Sequence, residues 1–421
     1  MSAHPSASTA PVRTRDEWVD VATQRIMRTY PATEVVFVSG EGVWLTDTEG
    51  ARWLDLLSGI AVTVLGHAHP AVAAAVAEQA GRLVHTSNLF LTTPALSLAE
   101  RLIDLAGWDD GRVFFAQCGA TANEAAIKLA RRHGKRQRDA KVRVVTLDGG
   151  FHGRTLATLE ATGQPAKHVP FQPLAGFVDT VAHDDPAALA AAVGPDTCAV
   201  LLEVVQGEGG VRPLSADMLA AARAACDAHG ALLIADEVQT GIGRTGSWFA
   251  FQQTDVVPDV VTLAKALGNG MPIGACLAHG AAADALELGD HATTFGGNPV
   301  TAAAALAVLD VIAEDDVLAN VATRAAQFRI GLADVAATSG AVREVRGSGL
   351  LLGVVLSAPV AADVAARCRA QRVIVNAVAP DVLRIAPPLT ITADEVTEAL
   401  AVLVPAIEAA VHDAAAGTEP A

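Results

Sequence analysis

The chain carries five lysines, and one of them stands apart. Lys128, Lys135 and Lys141 lie in or beside the basic stretch KLARRHGKRQRDAK, and Lys167 in the loop-like TGQPAKHVPF; Lys265 is set in an apolar run, DVVTLAKALGNGMPIGA. Drawing an ammonium out of water disfavours its charged form, lowers its pKa and yields a usable amine nucleophile. A lysine whose stem packs while its head reaches solvent has the same local sequence, so this stretch alone leaves both readings open.

Two further junctions carry residues suited to chemistry. In ALLIADEVQTGIGRTG an apolar run ends in Asp236 and Glu237. Such a carboxylate can serve an NTPase, meet a cationic group of a bound cofactor, or cap the following turn. The NTPase reading requires a glycine-rich loop ending in Gly-Lys-Ser/Thr, and none of the five lysines sits in one. In VFFAQCGATANEAAIKLARR a strand runs through Gly119 and Ala120 into a helix, with Thr121 as the expected N-cap and Glu124 reaching back to it. Free amides and the positive end of the helix dipole suit a phosphate there. His67 and His69 of GHAHP lack an obvious third ligand and read as turn residues, not a metal site.

The elements that must position these residues follow from the pattern. Residues 17–30 read as a helix, and VVFVSGEGVWLTDTEGARWLDLL as a small meander of short strands. From about 76 to 320 the apolar runs RVFFAQ, VRVVTLD, CAVLLEVV, ALLIADEV and DVVTLAK alternate with alanine-rich helical segments such as 121–137 and 214–229. That is the pattern of a mainly parallel sheet buried on both faces. Ligands gather at the carboxyl ends of such strands. Beyond about 340 a smaller α+β unit is expected. The division is a disordered leader over 1–16, an N-terminal segment over 17–75, a large domain over 76–320 and a small domain over 321–421.

Composition narrows the class. Half the residues are hydrophobic and the formal charge is −16, which argues against a nucleic-acid or anionic-membrane partner. Five cysteines without CxxC spacing suggest neither a disulfide framework nor a zinc cluster, and a reducing cytoplasm is expected.

Phosphate-suited helix start, acidic strand end and apolar-flanked lysine together describe a pyridoxal 5′-phosphate site. From about 35 to 400 the chain resembles the class III, ornithine-type aminotransferases, through GIAVTVLGHAHP, CGATANEAAIKLAR, FHGRT, EVVQGEGG, LLIADEVQTGIGRTG, LAKALGNGMPIGA, TTFGGNP and LRIAPPL in the family's order. The resemblance implies the type I fold of pyridoxal-phosphate enzymes, with a seven-stranded sheet in the large domain. It implies that Lys265 attaches the cofactor and moves the proton, and that Asp236 keeps the pyridine nitrogen protonated. Phe151 would stack on the ring, with Glu237, Val238 and Gln239 beside it. The Gly119 and Ala120 amides would hold the phosphate, joined by Thr294 of a partner subunit in a homodimer with shared sites. Arg154, with Thr293 close by, would bind a substrate carboxylate; Arg384 would bind the near carboxylate and Glu203 pair with Arg384 when none is present. The implied reaction moves the δ-amino group of N2-acetyl-L-ornithine to 2-oxoglutarate, giving L-glutamate, in arginine biosynthesis. Ornithine, succinylornithine, succinyldiaminopimelate and 4-aminobutyrate are the alternative donors; a nucleotide-binding or cofactor-free structural protein is the alternative from another class. Cys118, Val204 and Thr63 depart from the family's usual serine, proline and asparagine.

Overall fold

The computed structural model describes residues 13–31 and 33–416. Most of the expected leader lies outside them. Its end does not follow the expectation of disorder: a helix runs over Arg15–Arg25, capped by Thr14, whose side chain accepts from the Glu17 amide while Glu17 returns the bond.

At the centre is a seven-stranded sheet. In chain order its strands are β1 (Arg112–Ala116), β2 (Arg143–Leu147), β3 (Val178–Val181), β4 (Thr197–Leu202), β5 (Leu232–Asp236), β6 (Val260–Leu263) and β7 (Gly274–Ala278). They lie in the order β1-β7-β6-β5-β4-β2-β3. All neighbours are parallel except those of β7, which runs antiparallel to β6 and β1. Every residue of β4, β5, β6 and β7 is buried, which explains the unbroken apolar runs. Two strands are not marked by that pattern: β3 is a half-exposed edge, and β7 is built of the small residues GACLA. A Cβ on Gly274 would come within 2.6 Å of the Cys118 carbonyl, so only glycine lets β7 pass that close beneath the loop after β1.

Two four-stranded sheets, one mixed and one antiparallel, flank this core. Phe37–Glu41, Trp44–Asp47 and Arg52–Asp55 form the expected meander, and Val373–Ile374 joins its edge in parallel with Arg52–Asp55. The other runs Val342–Ser348, Leu351–Leu356, Val382–Ile385, Asn376–Ala379. His67, read as a turn residue, bonds the Asp55 carboxylate at 2.9 Å. The final helix, Ala393–Ala416, is the one helix among the described residues long and apolar enough to cross a membrane. Its Val396, Leu403 and Ile407 are buried in the protein core.

Candidate active site

The parallel strands deliver their carboxyl ends to one cavity of about 400 Å³. Asp236 closes β5, opposite Thr262 of β6, and Lys265 follows β6 by two residues. Lys265 has φ 44°, a left-handed conformation that costs a non-glycine residue about 1–3 kcal/mol and collects at functional sites. Its side chain lines the cavity. Burial, reinforced by the nearby Arg384 cation, lowers its pKa to about 8, against the opposing charges of Glu208, Asp236 and Glu203. The Lys265 amine thus lies at the cavity among charged groups.

Asp236 is held by a chain of hydrogen bonds already complete within the protein. Asn123 Nδ2 donates to Asp236 Oδ2 at 2.7 Å and to the His152 carbonyl at 2.8 Å. Thr262 Oγ1 donates to Asn123 Oδ1 at 2.7 Å, and the Val238 amide to Asp236 Oδ1 at 3.0 Å. His152 Nδ1 lies 2.7 Å from Asp236 Oδ2. Burial pulls the His152 pKa down, but the hydrogen bond and charge of Asp236, with the charge of Glu203, outweigh it and raise the net value. Asn123 and His152 were missed by the sequence reading. The signal for each was present: Asn123 stands one helical turn past Gly119, and His152 follows Phe151 in FHGRT.

The helix after β1, α1, spans Gly119–Gln137 with Cys118 as N-cap, two or three residues earlier than expected. Thr121 is therefore not the cap. From the first turn its hydroxyl accepts from the Gln117 and Cys118 amides at 3.2 and 3.1 Å and donates to the Cys118 carbonyl at 3.0 Å. Glu124 instead accepts from Thr155 Oγ1 at 2.5 Å. Gly119 and Ala120 line the cavity in the helix's first turn, where amides lack intrahelical acceptors. A Cβ at Gly119 would meet Val238 at 2.7 Å, so glycine lets α1 start directly against β5's exit.

Arg384 is 1 % exposed. Its guanidinium donates to Glu208 Oε1 at 2.6 Å, Gln239 Oε1 at 3.2 Å and Asn376 Oδ1 at 2.8 Å. The expected Glu203–Arg384 pair is thus corrected: the partner is Glu208. Glu203, at the end of β4, turns its carboxylate to the Phe151 and Gly207 amides at 2.9 and 3.0 Å. Burial first, then the charge of Asp236, raises its pKa to about 7. Glu208 rides the loop between the paired two-residue strands Val205–Gln206 and Arg212–Pro213. Burial raises its pKa, but the charge and hydrogen bond of Arg384 more than offset this and the net shift is downward.

Glu237 is the second correction. Successive residues leaving a strand face opposite sides, and Glu237 turns away from the cavity to accept from the Thr240 hydroxyl and the Phe251 amide, the latter at 2.8 Å. Phe151, Arg154, Val238 and Gln239 do line the cavity. Thr293 borders it through a contact with Gln117 and accepts from the Gly296 amide at 3.1 Å. Thr294 is not brought to this chain's cavity; it lines a separate depression with Asn88 and Asn298.

This arrangement belongs to a known class. The chain is a member of the class-III aminotransferase family, whose sequence model matches residues 26–407, and its enzyme activity is amino-group transfer. Among its relatives are the acetylornithine aminotransferases of Mycobacterium tuberculosis, 50% identical over 386 residues (91% of this chain, 94% of that one), and of Streptomyces coelicolor, 49% identical over 383 residues (91% and 93%). Similar solved structures include N-acetylornithine aminotransferase from Stenotrophomonas maltophilia, 39% identical with TM-score 0.81 over 94% of this chain and 100% of that one. Ornithine aminotransferase from Toxoplasma gondii is 30% identical with TM-score 0.90, over 95% and 96%.

Proposed function

We propose that the protein is a pyridoxal 5′-phosphate enzyme that transfers the δ-amino group of N2-acetyl-L-ornithine to 2-oxoglutarate, releasing L-glutamate, as a cytoplasmic homodimer. The observation that carries this reading is that Lys265 shares one cavity with the Asp236–His152 pair and with Glu208, the ion-pair partner of Arg384. The residues fit the cofactor: first-turn amides of Gly119 and Ala120 for the phosphate, Asp236 for the ring nitrogen, Phe151 and Val238 for the ring faces, Gln239 for the phenolic oxygen and Lys265 for covalent attachment. When bound, the cofactor supplies an electrophilic carbon and an electron-withdrawing ring.

Each protein group then has a task. Lys265 Nζ, its pKa lowered to about 8, would take the proton from the amine-bearing carbon of the substrate and deliver it to the cofactor carbon on the other side of the shared nitrogen. Asp236, braced by His152 and Asn123, keeps its charge directed at the ring nitrogen. Arg384 releases Glu208 to bind the carboxylate beside the reacting carbon of glutamate or 2-oxoglutarate, and takes Glu208 back when the donor presents its far amine. Arg154 binds the carboxylate at the other end of the substrate.

The dimer reading rests on surface chemistry: Phe90 and Leu91, 70% and 81% exposed, line the same depression as Thr294, with Leu89 and Phe295 exposed nearby. Such a patch calls for cover, and a second copy over it would carry Thr294 toward the partner's phosphate.

A panel of single half-reactions tests the donor. N2-acetyl-L-ornithine is expected to bleach the cofactor's visible absorbance faster than ornithine, succinylornithine, succinyldiaminopimelate or 4-aminobutyrate. Faster reaction with one of those reassigns the donor, and a colourless protein that takes up no pyridoxal phosphate overturns the class of chemistry.

A further inference from the structure

Two cations from different segments converge on the ring of Phe151, a residue that lines the cavity together with Arg154; Lys167 stands behind this lining. Arg154, in the loop after β2, places Cζ 5.5 Å from the Phe151 ring centre, and Lys167, ending the turn Pro165–Lys167, places Nζ 5.4 Å from it. Lys167 is held there. Its amine bonds the Gln164 side-chain carbonyl, and Gln164 Nε2 donates to the Gly149 and Gly150 carbonyls at 3.3 Å, so the amine is tied to the segment leading into Phe151. His168, next in sequence, fixes the turn through a 2.7 Å contact with the Thr162 carbonyl.

Among the described residues neither cation has a carboxylate within ion-pair distance, although the chain carries a net charge of −16. The Arg384 guanidinium, by contrast, is paired with Glu208, which lines the same cavity. Burial and the charge of Arg154 depress the Lys167 pKa, with Glu208 opposing; two like charges are thus held together where only an anion relieves them. Stacking on Phe151 accounts for one cation at that ring, not for a second delivered by its own turn.

We propose that Lys167 is a second cation that donates to a substrate carboxylate, acting with Arg154 on the carboxylate farthest from Lys265. The inference rests on the reading of Arg154 given above and deepens it. A compact ammonium beside a planar guanidinium binds one carboxylate from two directions, and the same pair serves the α-carboxylate of the ω-amine donor and the distal carboxylate of 2-oxoglutarate.

The test uses the holoenzyme and two donors that differ only in that group: N2-acetyl-L-ornithine and N-acetyl-1,4-diaminobutane. Lys167→Met is expected to raise KM for the carboxylate-bearing donor and for 2-oxoglutarate about tenfold. Its kcat should stay within a few-fold, its KM for the carboxylate-free donor should not move, and Lys167→Arg should restore most of the loss. Calorimetric affinity for glutarate, an unreactive dicarboxylate, should fall in parallel. If Lys167→Met shifts both donors equally or leaves glutarate affinity intact, Lys167 merely packs on Phe151 and the proposal is overturned. Arg154→Met separates the layers: loss of donor discrimination there but not in Lys167→Met sinks this inference alone, whereas a wild-type enzyme indifferent to the carboxylate sinks the donor reading beneath it.

Discussion

Around Asp236 the polar atoms have partners before any ligand arrives, while farther out the charges of Arg154 and Lys167 have no carboxylate among the described residues and that of Arg384 is paired with Glu208. The inner end is a closed relay, Thr262 to Asn123 to Asp236 with His152 alongside, none of it exposed. The outer end borrows its groups from loops: Arg154 after β2, Lys167 on a short turn, Glu208 on a two-strand ribbon. The difference matches the division of labour. Chemistry common to both half-reactions gains from dipoles fixed in advance; two substrates with carboxylates in different places require groups that exchange partners.

The largest effect should come from removing the inner nucleophile. Lys265→Ala is expected to lower turnover by more than about 10³-fold, because attachment and proton transfer vanish together. Borohydride reduction of the wild type should place the cofactor label on Lys265 by peptide mass spectrometry; a label on Lys167 would erase the distinction between the two ends. The lowered pKa adds a pH signature. Since the neutral amine attacks, the rate at which cofactor-free protein takes up pyridoxal phosphate should rise with pH and level off above about 8. Stability of the cofactor-free fold should also rise with pH, between about 8 and the free-lysine value of 10.5, because there the unfolded chain binds more protons.

Next comes Asp236→Asn. It removes one partner of a buried pair with His152, a loss of about 3–5 kcal/mol, or roughly two to four orders of magnitude in kcat if it falls on the reaction. Circular dichroism should report an unchanged fold, since the Asn123 and Val238 contacts survive in part. A normal kcat would mean that the closed inner relay has no part in the reaction.

At the outer end the effect should be smaller and asymmetric. Glu208→Ala leaves Arg384 with Gln239 and Asn376 only. In stopped-flow, the glutamate half-reaction should hold or improve, while the acetylornithine half-reaction weakens about tenfold through capture of its own carboxylate by Arg384. Equal losses in both would mean that the pair is only a strut.

The inner end was the more legible one in the sequence. A charge that interrupts an apolar strand announces itself, and Asp236 and Lys265 both do. The exchange of Glu203 for Glu208 was not legible, because two acids five residues apart in EVVQGEGG differ only in the path of the loop, which a two-residue ribbon sets without any periodic pattern. Glu237 went astray for a related reason: adjacency in DEVQ suggested a shared site, and strand alternation turned it outward. β7 escaped because GACLA has strand burial without strand composition. The mainly parallel sheet, by contrast, was written in strands buried on both faces.

The smallest expected effect tests whether the inner end is as fully satisfied as its hydrogen bonds suggest. Where the family usually has serine, this chain has Cys118, and its sulfur makes only a 3.5 Å contact with Thr121 Oγ1. Thr121 does different work: its hydroxyl takes the Gln117 and Cys118 amides, which precede the first turn of the helix. Thr121→Val strips both of their acceptor, a loss near 1 kcal/mol for a helix-start hydroxyl, and should weaken cofactor binding about fivefold in fluorescence titration. Cys118→Ser should change it by less than about twofold if, as proposed, the backbone amides of Gly119 and Ala120 hold the phosphate. A tenfold tightening in Cys118→Ser would show that a side chain at 118 supplies a phosphate contact this protein lacks, and the inner end would then share the outer end's dependence on what the ligand brings.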